Sequence, residues 1–240
     1  MLPRIIKVKG VKNAGSKCAR FWRQASYKEE IQDKRVIDVG ACDFNGSIRP
    51  LIESWEPSDY IGVDIINGHC VDVVCNVDDL VKKFGKESFD VVVSIEMLEH
   101  SRFWKHSISN IKQICKPNGC IVLTTRSYGY PCHGYPNDFW RFGLEDMKNI
   151  FSDSDVLAIE KDYQAPGIFV KVRKPEIFQE NDLSEYEIYS MVTNESISAL
   201  ADRDFKSPYF YRLGLKQKIK NLASTFILDS GKLVSNLLRI

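Results

Sequence analysis

Five short runs of nearly continuous apolar residues recur along the chain, at 36–39, 60–63, 72–75, 89–94 and 120–125. Runs of this length without polar alternation are what strands buried on both faces of a parallel sheet require. Between them the apolar positions switch to helical spacing, as from Trp104 to Cys115. Strand and helix in alternation predict right-handed βαβ crossovers in a doubly wound α/β sheet. A further helix is expected over Leu144–Phe151, followed by apolar runs at Asp155–Glu160 and Gly167–Arg173 around a Pro-Gly turn, which predict a terminal hairpin. Residues 1–34, basic and aromatic with Arg20 to Arg23 on a helix, read as a lid or packing segment; 35–175 form the α/β domain; 176–240 read as a helical, basic extension.

The first strand runs into a glycine turn, Asp38-Val39-Gly40-Ala41-Cys42-Asp43-Phe44-Asn45-Gly46, and the second ends in an acidic residue, Tyr60-Ile61-Gly62-Val63-Asp64. Gly40 lets the backbone turn tightly beside a ligand, and Asp64 at a strand tip is placed to accept both hydroxyls of a ribose. A dinucleotide needs its pyrophosphate on a G-x-G-x-x-G turn, and here Cys42 and Asn45 replace the second and third glycines. Asp38 and Asp43 add negative charge that repels a pyrophosphate and suits a sulfonium bearing an ammonium group. The turn therefore favours S-adenosylmethionine over NAD.

The segments Phe89-Asp90-Val91-Val92-Val93-Ser94-Ile95-Glu96-Met97-Leu98-Glu99-His100 and Cys115-Lys116-Pro117-Asn118-Gly119-Cys120 extend the pattern. With the glycine turn and Asp64 they give the chain, over roughly residues 35–175, a resemblance to the class I S-adenosylmethionine-dependent methyltransferases of the type 11 kind. The resemblance implies a Rossmann-like sheet of seven mostly parallel strands with an antiparallel terminal strand. It also implies a cofactor site with Asp38 and Gly40 at the methionine end, Asp64 on the ribose, Asn76 and Val77 on the adenine, and Ser94 at the end of the fourth strand. Cys42 and Asn118 depart from the glycines usual at their positions; Asn tolerates the left-handed conformation that the second turn needs. Asn76 has an equally simple reading as the cap of a helix starting near Asp78.

Methyl transfer from a sulfonium to a nucleophilic acceptor needs mainly positioning in a dry site, whereas a hydroxyl acceptor gains from a general base. Candidates are Glu96, His100, His133 and Asp138, all following the carboxyl ends of strands, where open α/β sheets bind ligands. His133 and Asp138 lie in the aromatic-rich segment Thr125–Phe142, which resembles an H-x-x-P-x-D-aromatic-W-R-F stretch of a subgroup of these enzymes and is expected to wall the acceptor pocket. Its structural reading is a rigid loop in which Asp138 pairs with Arg141. Glu99 has two readings as well, catalytic or loop-fixing.

Composition bounds the rest. The 240 residues are 44% hydrophobic and 27% charged with net charge +1, so no whole-chain field favours nucleic acid. Seven cysteines in no C-x-x-C pair indicate neither a zinc site nor a disulfide framework. With no apolar run of membrane-spanning or leader length, a cytoplasmic protein is expected. From Lys206 to Ile240, seven basic residues and one acidic accompany Leu215, Ile219, Leu222 and Phe226 at helical spacing. Such a helix packs on the core, joins a homodimer or rests on an anionic membrane surface.

The reading is thus an S-adenosylmethionine-dependent methyltransferase acting on a small molecule or glycan at a hydroxyl. No metal is expected, because metal-binding relatives carry an Asp at the end of the fourth strand, where Ser94-Ile95 precede Glu96. The alternatives are a catalytically inactive methyltransferase-like binding protein, motivated by Cys42 and the extension, and an NAD-dependent oxidoreductase, opposed by the missing glycines and the hairpin.

Overall fold

A computed structural model describes residues 27–44, 46–220 and 223. Residues 1–26 of the lid segment with the helix expected at Arg20 to Arg23, Asn45 of the glycine turn, and Leu222 and Phe226 of the basic stripe lie outside the described residues.

The apolar runs form one seven-stranded sheet. In chain order its strands are β1 (Arg35–Val39), β2 (Asp59–Asp64), β3 (Val73–Val74), β4 (Phe89–Ile95), β5 (Cys115–Arg126), β7 (Asp155–Lys161) and β8 (Gly167–Arg173). They lie in the order β3-β2-β1-β4-β5-β8-β7. The first five pair in parallel, and β8 enters antiparallel to both β5 and β7, so the expected hairpin closes the sheet. Neighbours in a strand feed opposite faces. Val36, Val91 and Val93 pack with Ile48, Ile52 and Val122 on one side, while Ile37, Val92 and Ile121 pack with Trp104, Ile108 and Ile111 on the other. This two-sided burial explains the missing polar alternation.

The helices α1 (Tyr27–Ile31), α2 (Arg49–Glu53), α3 (Leu80–Phe84), α4 (Trp104–Ile114) and α5 (Leu144–Ile150) connect or flank the strands. On α4, Trp104, Ile108 and Ile111 form the buried stripe, and Lys112 is buried beside them. Its ammonium donates to Asp153 at 2.6 Å, to the Ile150 carbonyl at 2.6 Å and to Asn181 at 3.0 Å. Asn118 has φ +61°, the left-handed turn expected of it, and β5 begins before that turn rather than after it.

The extension carries the expected C-terminal helix but is otherwise less helical than expected. Its helix, α6, starts at 208 and runs through 220, while residues 176–207 are mostly turns and irregular backbone. They include β9 (Ile188–Ser190) and β10 (Ser196–Ile197), which form a second, antiparallel sheet with β6 (Trp140–Arg141). Leu183, Ile188, Val192, Leu200 and Phe210 join the main core. The loop after β5 is thereby bound to the extension, with Trp140 paired to Ser190 and Arg141 to Tyr189.

Candidate active site

The ends of β1, β2 and β4 bring Asp38, Gly40, Asp64 and Ser94 together. Gly40 adopts φ +87° and its N–H donates to the Val63 carbonyl at 2.8 Å. A Cβ there would lie 2.6 Å from Met97 Cβ, so glycine is what allows the segment leaving β4 to rest on this turn. Ser94 Oγ donates to the Val39 carbonyl at 3.0 Å and ties the ends of β4 and β1. Cys42 keeps the turn intact, its N–H donating to Asp64 Oδ2 at 3.1 Å, and Asp64 Oδ1 accepts from the Ile66 N–H at 3.3 Å.

Asp38 is 3% exposed. Its Oδ2 accepts from the Tyr60 hydroxyl at 2.6 Å, and its Oδ1 is buried with no hydrogen-bond partner. Burial raises its pKa to about 6, the Tyr60 bond works against that rise, and the charge of Asp64 adds to it. A buried carboxylate oxygen without a partner is costly, and an ammonium or sulfonium at this turn relieves the cost. The residues therefore fit the methionine end of S-adenosylmethionine. At the end of β3, Asn76 accepts from the Asp78 N–H at 3.1 Å, the capping reading given to it, and Val77 is buried in the 3-10 turn that follows.

A second group of residues gathers where β4 and β5 end. Glu96 sits at φ +54°, a sparsely populated backbone region for a non-glycine residue. Its Oε1 accepts from Thr124 Oγ1 at 2.9 Å and its Oε2 contacts the Arg126 guanidinium. Burial, and then the charge of Glu99, push its pKa up to about 7 against the pull of Arg126.

Glu99 is fully buried. Oε2 accepts from Thr125 Oγ1 at 2.8 Å, while Oε1 lies 3.7 Å from His133 Nε2 and accepts no hydrogen bond. Burial opposes its ionisation, yet His133 and the charge of His100 hold its pKa below the usual range.

The loop after β5 folds back over these groups, its Phe139 N–H donating to the Glu99 carbonyl at 2.9 Å. His133 Nδ1 faces Asp138 Oδ2 at 3.1 Å, and its ring meets His100 and Tyr130 edge-on at centroid distances of 4.8 and 5.0 Å. Burial would lower the His133 pKa, but Asp138 and Glu99 raise it to about 9. His100 Nδ1 lies 2.5 Å from the Asn137 carbonyl, which only accepts, so Nδ1 carries a hydrogen.

Asp138 is gripped by buried Arg141, Oδ1 to Nη1 at 2.6 Å and Oδ2 to Nη2 at 2.7 Å, and it also accepts from the His133 N–H at 2.8 Å. Arg141, and after it His133, hold its pKa well below the carboxylate range despite burial. Arg141 further donates to the carbonyls of Tyr130, Pro131 and Trp140. Asp138 is thus bound within the loop, the pairing named in its structural reading, and acts on the site through His133.

Glu99 is the buried carboxylate that the residue pattern undervalued. Its signal lies at the end of the next strand, in Thr124-Thr125-Arg126, a polar end to an apolar strand whose side chains hold Glu96 and Glu99. Tyr60, the partner of Asp38, carried no signal beyond its place in an apolar run.

A family model described as a methyltransferase domain matches residues 12–198. The chain belongs to this methyltransferase-domain family. No curated protein matches it. Among solved structures it is similar to an S-adenosylmethionine-dependent methyltransferase from Mesorhizobium loti, at 15% identity and TM-score 0.51 over 68% of this chain and 99% of that one. It is also similar to 1,6-didemethyltoxoflavin-N1-methyltransferase from Burkholderia thailandensis, solved with that substrate and S-adenosylhomocysteine, at 13% identity and TM-score 0.50 over 68% of this chain and 84% of that one. At these identities the likeness establishes the fold, the Rossmann-like sheet of S-adenosylmethionine-dependent methyltransferases.

Proposed function

We propose that this methyltransferase moves the methyl group of S-adenosylmethionine to a hydroxyl of a small molecule or glycan. The observation that carries the reading is the juxtaposition, through Met97 on Gly40, of an acidic cofactor turn with a buried carboxylate and histidine cluster. Bound at the turn, S-adenosylmethionine supplies an electrophilic methyl on a positively charged sulfur.

The residues divide the work by position. Asp38 Oδ1 accepts from the ammonium, Asp64 takes the ribose hydroxyls, and Asn76 with the Val77 N–H meets the adenine, while Ser94 fixes the distance between the strand ends. A hydroxyl is a poor nucleophile until its proton leaves. Glu96, a carboxylate with pKa about 7 at the end of the fourth strand, is the proton acceptor suited to neutral pH. Asp138 and Glu99 push the His133 pKa up to about 9, so Glu96 rather than His133 is the proton acceptor. His100 stands against the His133 ring, and Asp138 orients His133.

Aromatic faces support a sugar or ring as acceptor. Within the loop Tyr128 stands half exposed, and Arg126 stacks on Tyr130 at 4.0 Å. Cys42, one motive for the inactive reading, keeps its N–H on Asp64 and so weakens that motive. Six described cysteines are free thiols, which fits the cytoplasmic placement, and among the described residues no helix is long and apolar enough to cross a membrane.

Calorimetric titration with S-adenosylhomocysteine and with NAD tests the cofactor. Binding of the first and not the second is expected; the reverse overturns the reading. Labelled-methyl transfer to a panel of hydroxylated sugars and phenols tests the acceptor. Product on amine acceptors alone excludes the hydroxyl.

A further inference from the structure

We propose that Glu99, His100 and His133 form a binding site for one divalent transition-metal ion, which revises the expectation that no metal takes part. One ligand atom of each residue lies within 4.8 Å of those of the other two. Glu99 contributes a fully buried carboxylate whose Oε1 accepts no hydrogen bond. Leaving such an oxygen unsatisfied is expensive, and the 3.7 Å to His133 Nε2 is too long for a hydrogen bond to satisfy it. Two ligands of a tetrahedral ion with bonds of about 2.0 Å stand roughly 3.3 Å apart, so a small inward movement closes the site.

The surroundings of the three residues are those of a metal centre. A ligating histidine characteristically gives its other ring nitrogen to a carboxylate or carbonyl, which fixes the tautomer and the ring plane. His100 does so with the Asn137 carbonyl at 2.5 Å, and His133 Nδ1 faces Asp138 at 3.1 Å. Asp138 is in turn fixed by Arg141, and the second oxygen of Glu99 is fixed by Thr125 at 2.8 Å. Glu99 and His100 thus each have one atom hydrogen-bonded and one left for the ion, while His133 Nδ1 stands 3.1 Å from Asp138 in an ion pair without a formed hydrogen bond. Two imidazoles and one carboxylate suit Zn²⁺, Mn²⁺ or Fe²⁺ rather than Mg²⁺, which prefers oxygen.

Three protein ligands leave coordination positions open. On the reading of the chain as a hydroxyl methyltransferase, the open position takes the acceptor oxygen and makes its proton easier to lose. The proton passes to Glu96, the oxygen lone pair forms the new C–O bond, and the C–S bond breaks with its electrons on sulfur, giving a neutral thioether.

The test uses the full chain after treatment with chelator, titrated with ZnCl₂ by calorimetry and with MnCl₂ by the loss of the free-ion electron paramagnetic resonance signal. Wild type is expected to bind one equivalent. Glu99→Gln, His100→Ala and His133→Ala should each weaken binding at least 100-fold, and Thr125→Val about 10-fold, as loss of an outer support does. His69→Ala, in the exposed Asp43, His69 and Cys70 cluster, should bind as wild type does. The thermal shift with S-adenosylhomocysteine, measured on every variant, reports folding and the cofactor site separately. A wild-type protein that binds S-adenosylhomocysteine but neither ion overturns the metal site and leaves the methyltransferase reading standing. Retained affinity in folded His100→Ala and His133→Ala, or its loss only in His69→Ala, overturns it as well.

Discussion

The Tyr60 hydroxyl donates to Asp38 Oδ2 at 2.6 Å, and this bond is what steadies a carboxylate buried at the cofactor turn with its other oxygen unpaired. Burial raises the Asp38 pKa from 3.8 to about 6. A carboxyl whose folded pKa is raised contributes stability that is fully present below its unfolded pKa and lost as pH rises through the folded value. For Asp38 that window is about 4 to 6, and the loss is about 3 kcal/mol, two pKa units at about 1.4 kcal/mol each. Asp38→Asn should therefore raise the melting temperature of the ligand-free protein at pH 7.5, with the gain vanishing below pH 4.

The cofactor needs the opposite state. With the ammonium placed on ionised Asp38 as proposed, the affinity for S-adenosylmethionine should fall about tenfold per pH unit below about 6. Asp38→Asn should bind weakly at every pH. Calorimetry across pH 4.5 to 8 reads both effects, and a flat profile in wild type removes Asp38 from the site.

Asp64→Ala should weaken S-adenosylmethionine binding by about 1.5–3 kcal/mol through loss of two charge-assisted ribose hydrogen bonds. The side chain also braces the turn by accepting from the Cys42 and Ile66 N–H groups. Asp64→Asn keeps an acceptor for one of these bonds and should lose less. Equal affinity in Asp64→Ala and wild type is incompatible with the ribose assignment.

Lys112 and Asp153 form a buried ion pair at 2.6 Å behind the sheet, away from the turn. Burial pulls the Lys112 pKa down while Asp153 pushes it back up. Removing one partner strands the other charge, so Asp153→Ala should cost about 3–5 kcal/mol. Replacing both, as Lys112→Met with Asp153→Leu, should recover most of that loss. Urea denaturation of the single and double variants decides whether the pair or its individual charges matter.

What could be read in the sequence follows from how each feature is encoded. The sheet was legible because strands buried on both faces write themselves as unbroken apolar runs, Val91-Val92-Val93 above all, and because the antiparallel β8 follows an obvious Pro-Gly turn. The meeting of Asp38 and Gly40 with Asp64 was legible because β1 and β2 are neighbouring parallel strands whose carboxyl ends lie side by side. The grouping of Glu99 with His100 and His133 was not, since it depends on the Phe139 N–H reaching the Glu99 carbonyl across 40 positions of chain. The small sheet of β6, β9 and β10 was equally hidden, its strands being two or three residues long with no period to detect. Residues 176–207 read as helical only because the basic stripe beyond them does.

The last prediction concerns the contact between α6 and the acceptor loop. Gly214 sits against the Tyr135 ring, where a Cβ would lie 2.4 Å from Cζ, and Phe210 packs on the same ring at 4.8 Å. Tyr135 belongs to the loop that carries His133 and Asp138, so a side chain at 214 must displace that ring. Tyr135 is the flexible end of the contact, and the sheet with its cofactor turn lies outside it. Gly214→Val should therefore leave S-adenosylhomocysteine affinity within error of wild type, while kcat/KM for the acceptor falls about tenfold through a higher KM and a lower turnover, a loss of about 1.4 kcal/mol in transition-state binding. Gly214→Ala should show the same pattern more weakly. If cofactor affinity and acceptor KM change together, the extension supports the whole domain rather than the acceptor loop.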